Sequence, residues 1–317
     1  MKKKYILFTI LFVLISFTLF KYFYPGDKNS VEKHDFNIMA HRGAHVMWDK
    51  TKYDLATGCE ATHIYKPTEK QTYIENTIES IKRAFDLGAN MVEIDIRSSK
   101  DNILMISHEI NLECKTDGKG KISDYTVEEL KKLDVGYGFT YDGEHYPYRG
   151  KGIGKMPTLE DVLNTFPDKK FLIDHKDGTK ETADLLIAEI KKLPQERRSN
   201  IFYWGPPEMG TYINQNIPEV KRLLVSRGEM KTCVINYELS FGETFGKECK
   251  GLALGMNREY AKYLWGWPYN FIKKAQENNS LVFLMVDNEK DFQWAKDLPV
   301  DGIITDYIED IAPKYVQ

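Results

Sequence analysis

Nine short apolar segments rich in Ile, Val, Leu and Phe alternate with amphipathic helical patterns along most of the chain, which predicts an α/β fold built on a parallel sheet. The length remaining after residue 36 fits one TIM-type (β/α)8 barrel of about 250 residues with insertions better than two independent domains. The N-terminus adds a third observation: an uncharged apolar run behind three lysines reads as a transmembrane anchor preceding the barrel.

In chain order, Lys2-Lys3-Lys4 precedes residues 5–20, mostly Ile, Leu, Phe and Val. As a helix rising ~1.5 Å per residue, residues 5–24 would span about 30 Å, the thickness of the hydrocarbon core. Lys21 can snorkel, and Tyr22 and Tyr24 suit the interface. An Ala-x-Ala exit is missing around residues 20–26, so an uncleaved anchor is expected ahead of its rival, a cleaved signal peptide. The basic flank then stays cytoplasmic, and the folded domain is extracytoplasmic, periplasmic or at the cell surface. On this reading residues 1–24 are the anchor, 25–36 a linker and 37–317 the barrel domain.

Strands are expected at residues 36–40, 91–96, 103–106, 171–174, 201–204, 222–225, 252–254, 281–286 and 302–305. Helices are expected at 77–87, 127–133, 159–165, 179–193, 269–278 and 291–298. Nine strands are one more than eight, so at least one is a hairpin arm or lies outside the barrel. Residues 44–73 and 111–155 read as excursions that shape a pocket, because loops of that length without periodicity are usually functional.

With 42% hydrophobic and 29% charged residues the chain can bury one large core. A net charge of −3 without a basic stripe argues against a nucleic-acid partner. Cys59, Cys114, Cys233 and Cys249 allow disulfides, Cys233 with Cys249 before others, or equally four buried thiols.

Chemistry concentrates in three pieces. Met39-Ala40-His41-Arg42-Gly43 ends an apolar run, and Glu93 and Asp95 share one face of a strand because side chains at i and i+2 point the same way. Folding the chain about residues 101–102 would set Asp95 opposite His108. Two histidines, two carboxylates and an arginine can then converge on a phosphate ester. Active sites of such barrels lie at the carboxyl ends of strands, where His41, Glu93, Asp95, Asp174 and Lys176 all fall.

The ordered series His41-Arg42-Gly43, Glu75-Asn76-Thr77, Glu93-Ile94-Asp95, His108-Glu109, Gly118-Lys119-Gly120, Met156-Pro157-Thr158-Leu159, Asp174-His175-Lys176 and the ending 301–307 resembles the glycerophosphodiester phosphodiesterase family over residues 37–312. The resemblance implies a barrel with a small insertion near the active-site mouth. It also implies hydrolysis of glycerophosphodiesters, or of related lysophospholipid or envelope headgroup diesters, to glycerol phosphate and an alcohol. Glu93, Asp95 and Asp174 offer hard oxygen ligands to Mg²⁺ or Ca²⁺. Arg42 and Lys176 suit the phosphate. His41 and His108 divide the roles of base and acid, in either order. Glu75 is expected to orient substrate or a neighbouring group, Asn76 to cap the helix at 77–87, and Asp306 either to line the site or to close a turn. His34, His45, His63, His145 and His175 read as structural. Three departures mark the chain: Asp174 stands where many members carry Glu, Met285-Val286-Asp287-Asn288 replaces Trp-Thr-x-Asn, and His108-Glu109 replaces His-Asp. Two further readings are a catalytically weak envelope- or lipid-binding module on the same barrel, and a phospholipase that leaves a cyclic phosphate.

Overall fold

The computed structural model describes residues 12–13, 16, 24–32, 35–49, 62–68 and 72–315, which fall into two compact units. The first holds the described residues within 37–223, 287–289 and 304–315. Within it β1 (Asn37–His41) runs parallel to β2 (Met91–Ser98), β2 to β4 (Lys170–His175), β4 to β5 (Ile201–Trp204) and β5 to β6 (Lys221–Arg222). Ala40, Val92, Ile94, Ile96, Phe171, Leu172 and Ile173 are all fully buried. Strands covered on both faces read as unbroken apolar runs rather than as alternation, which is why these were plain in the sequence.

The register of these strands aligns their polar ends. His41 is level with Glu93, and Asp95 with Asp174, so the carboxyl ends of three neighbouring strands present their polar residues together. Helix Ile78–Asp86 buries Ile81 and Ala84 and starts at Thr77, whose hydroxyl accepts from Ser80 N at 3.2 Å. Thr77 is therefore the N-cap, not Asn76. Helix Leu159–Thr165 starts on a reciprocal cap: Thr158 Oγ1 accepts from Asp161 N at 3.0 Å, and Asp161 Oδ2 from Thr158 N at 2.9 Å.

The strand β3 (Leu104–Ile106) is the expected hairpin arm, antiparallel to β2. Its register is one residue from the expectation. Ile96 pairs with Ile106, Ser107 N donates to Asp95 O at 3.0 Å, and Ser99 N donates to Ile103 O at 2.9 Å. The connection is thus a three-residue loop centred on Asp101, with Asn102 in the left-handed region at φ 60°. An odd loop puts Ser107, not His108, across from Asp95.

Between β3 and Leu159 the insertion packs Leu112, Ile122, Leu130 and Met156 against Met105. Asp134 ties its glycine-rich end, accepting from Gly136 N and Gly152 N at 2.9 Å and from Gly150 N at 2.6 Å. Phe139 and Tyr148 close over Val46, Trp48, Ile64 and Ile74, joining this insertion to the loop after β1.

The second unit holds residues 224–286 and 290–303 with the described residues up to 36. Its strands β7 (Ala253–Met256) and β8 (Leu281–Met285) are parallel, with Ala253 level with Leu281. Helix Tyr269–Gln276 buries Phe271, Ile272 and Ala275, and Cys233 is disulfide-bonded to Cys249. The last strand, β9 (Gly302–Thr305), gives its first two residues to this unit and its last two to the first.

The N-terminal anchor is not supported. No helix among the described residues is long and apolar enough to cross a membrane. Most of residues 1–24, on which that expectation fell, lies outside the described residues. The expected membrane tether, and the extracytoplasmic location argued from it, are accordingly withdrawn.

Candidate active site

The site lies within the first unit, at the carboxyl ends of β1, β2 and β4. At the end of β1 the chain turns sharply: Arg42 and Gly43 are both left-handed, at φ 58° and 82°. The turn is pinned by Arg42 N donating to Glu93 O at 3.0 Å, Asn76 N to Arg42 O at 3.0 Å and Ala44 N to Ser80 O at 2.9 Å. A Cβ on Gly43 would meet Ser80 Oγ at 2.6 Å and the Ser80 carbonyl carbon at 2.8 Å, so only glycine fits. Strand alternation would send Arg42 away from His41; the left-handed turn keeps both in one cleft.

Arg42 is buried against carboxylates. Its Nε lies 3.2 Å from Asp95 Oδ2 and its Nη1 3.4 Å from Glu75 Oε1, while its guanidinium sits 5.1 Å over the Trp48 ring. Asn76, left-handed at φ 55°, donates from Nδ2 to Asp95 Oδ2 at 2.8 Å. Lys176 Nζ reaches Asp174 Oδ2 at 2.6 Å and Asp95 Oδ1 at 3.0 Å. Glu93, Asp95 and Asp174 are buried, and each offers an oxygen within 4.8 Å of the others.

Electrostatics separates these acids. Burial and then the neighbouring Asp95 and Asp174 push the Glu93 carboxyl up to about 8. Burial would raise Asp95 as well, but Arg42 and Lys176 hold it well below the carboxylate range. Three acids this close cannot all ionise without compensating charge. Glu93 Oε1 is moreover buried with no hydrogen-bond partner among the described residues. A hard, oxygen-bound divalent cation fits that donor set.

The two histidines stand in opposite fields. His41 Nδ1 contacts Asp306 Oδ1, and its Nε2 lies 3.7 Å from Glu93 Oε2. Burial alone would lower its pKa; Asp306 and Glu93 outweigh it and raise the value. Asp306 is held in turn, its N–H donating to Asp287 Oδ1 at 2.9 Å. His108 sits among cations, so burial and then Arg42, with Lys176 and Lys115, favour its neutral form. Arg97 fixes the backbone there, donating from Nε and Nη2 to His108 O at 2.9 and 2.6 Å.

Seven of the eight residues singled out in the sequence are thus linked by ion pairs or strand register, with Glu75 placed behind Arg42, and His108 feels the charges of Arg42, Asp95 and Lys176. Asp306, left open between two readings, lines the site. Lys115, Arg97 and Trp48 were missed. Trp48, beside His41 and stacked on His45 at 4.3 Å, supplies an aromatic wall from a loop with no periodic signal. His45 bonds Val46 O at 2.8 Å and His175 lies 2.9 Å from Asp177 Oδ1.

Likeness to solved structures gives the class first. The glycerophosphoryl diester phosphodiesterase domain of a Mycobacterium tuberculosis protein superposes with a TM-score of 0.67 at 17% identity, over 90% of this chain and 100% of that one. A phosphodiesterase from Oleispira antarctica, solved with its product sn-glycerol-3-phosphate, gives 0.60 at 17% identity, over 89% and 97%. The fold is thus the α/β barrel of these phosphodiesterases. A sequence model of the Glycerophosphoryl diester phosphodiesterase family matches residues 58–233, and the chain belongs to that family. A glycerophosphodiester phosphodiesterase of Caldanaerobacter subterraneus is 29% identical over 240 residues, 73% of this chain and 88% of that protein. The chain is an enzyme of this hydrolase class, and the reading as a binding module falls away.

Proposed function

We propose that the enzyme splits a glycerophosphodiester into glycerol phosphate and an alcohol, using a divalent cation on Glu93, Asp95 and Asp174 and a proton shuttle between His108 and His41. The observation that carries this reading is the pairing of two histidines in opposite fields around a buried carboxylate triad. A bound cation would neutralise charge building on the phosphoryl oxygens. Arg42 orients the diester, since its planar fork is held in place by Asp95 and Glu75. Lys176 adds a point charge beside it. His108, favoured neutral, accepts a proton from the attacking water. His41, favoured charged and steadied by Asp306, gives a proton to the departing alkoxide. A glycerol phosphate product agrees with the ligand in the Oleispira antarctica structure.

Phosphorus NMR of the full chain with a panel of glycerophosphodiesters and lysophospholipids tests the reaction. Linear glycerol phosphate is the expected signal. A cyclic phosphate end product would replace this mechanism with an intramolecular one.

Cation binding should depend on pH in a definite direction. Because Glu93 titrates near 8, a cation must displace its proton at lower pH, so affinity should weaken by up to about tenfold for each pH unit below that value. Calorimetric titration with Mg²⁺ and Ca²⁺ at several pH values measures this, and an affinity flat from pH 6 to pH 8 would contradict it.

A further inference from the structure

We propose that Lys115 is a positioning residue for the hydrolysis, its ammonium bracing both the carboxylate behind Arg42 and the one beside His108. The proposal rests on the functional roles of Arg42 and His108. Lys115 follows the short turn Leu112–Cys114 in the insertion, next to a disulfide-bonded cysteine, and is buried. Its Nζ lies 2.5 Å from Glu75 Oε1 and 3.1 Å from Glu109 Oε1. Glu75 Oε1 is also the oxygen nearest Arg42 Nη1, and Glu109 Oε1 lies 3.1 Å from His108 Nδ1. One cation therefore joins two anions, each of which touches a group that handles the phosphate or its proton.

Two carboxylates buried this near each other repel, and without a counter-charge one would protonate or move. Burial already pushes Glu109 up, and Lys115 is the group that opposes this most. A cavity of about 40 Å³, lined in part by Glu75, His108, Glu109 and Lys115, lies beside these groups. The other lysine that lines it, Lys155, is engaged elsewhere, its Nζ lying 2.9 Å from Glu79 Oε1. The insertion thereby supplies a working part of the site as well as a wall. Among the residues around the cavity Lys115 alone has a charge that answers both acids directly.

The test compares Lys115→Met, which keeps the stem and removes the charge, with Lys115→Arg, which keeps the charge. In steady-state hydrolysis by the full chain, Lys115→Met should lower kcat about 10- to 100-fold, with KM changing less than about threefold. Lys115→Arg should recover most of the loss. The limb of the kcat/KM pH profile that reports His108 should move in the Met variant and return in the Arg variant. Should Lys115→Met fail to fold, the double variant Lys115→Met with Glu109→Gln carries the same test with one buried acid fewer. Its kcat should fall below that of Glu109→Gln alone by the part of the loss that runs through Glu75 and Arg42. A folded Lys115→Met with normal kcat overturns the proposal, as does, where only the double variant folds, a kcat equal to that of Glu109→Gln alone. A loss that Lys115→Arg does not recover, accompanied by an unmoved pH profile, overturns it as well. His108→Ala separates the two ideas: normal turnover there sinks the histidine assignment, whereas a normal Lys115→Met beside a crippled His108→Ala sinks only the role of Lys115.

Discussion

Replacing His41 or His108 with Ala should lower kcat/KM by about 10²–10⁴-fold, the usual contribution of a positioned proton donor or acceptor. Neither ring is part of the apolar core, so both variants should melt cooperatively near the parent temperature. The pH dependence gives the sign. The Asp306 carboxylate holds His41 above its ordinary value against the cost of burial, so its charged form persists upward in pH and the high-pH limb falls where that proton is lost. Cations around His108 keep it neutral, so the low-pH limb falls only where that ring finally takes up a proton. The kcat/KM profile should therefore be bell-shaped, and each alanine variant should lose one limb. Folded variants with near-parental turnover would show both rings to be structural.

Thorough chelation should remove activity by about a hundredfold or more, since a Lewis acid at a phosphoryl oxygen contributes several kcal/mol. Added Mg²⁺ or Ca²⁺ should restore it, and thiol-seeking metals should do so poorly, because the proposed ligands Glu93, Asp95 and Asp174 are all hard oxygens. The measurement is turnover before chelation, after it, and on readdition of each ion. Full activity in the chelated sample would mean that the acids serve only to hold Arg42 and Lys176.

Much of this arrangement was legible because the chemistry lies at ends of buried strands. Met91 to Ile96 reads as a strand from its apolar run alone, and period two then puts Glu93 and Asp95 on one face. Asp174 comes from the neighbouring strand by the same rule. What could not be read depends on conformation or on distant contact. The left-handed φ of Asn76 turns it from a helix cap into a partner of Asp95. The hairpin register hangs on whether its loop is odd or even, which Ser98 to Asn102 does not announce. Lys115 meets Glu75 across forty positions of sequence in a segment with no period, where a lysine reads as surface. Helices Pro207–Asn216 and Arg227–Leu239 were missed for a different reason: each buries only two residues and shows no apolar stripe.

The turn at Arg42 and Gly43 also bears on how function would be mapped in this enzyme. A residue-by-residue alanine survey would flag Gly43 alongside His41 and Arg42, although Gly43 has no side chain with which to touch a substrate. What such a survey detects there is handedness. The tripeptide spells one backbone shape, in which two successive letters serve the same cleft and the third makes that possible. A swap between its letters would set a side chain against Ser80 at the third position, so their order matters as much as their identity.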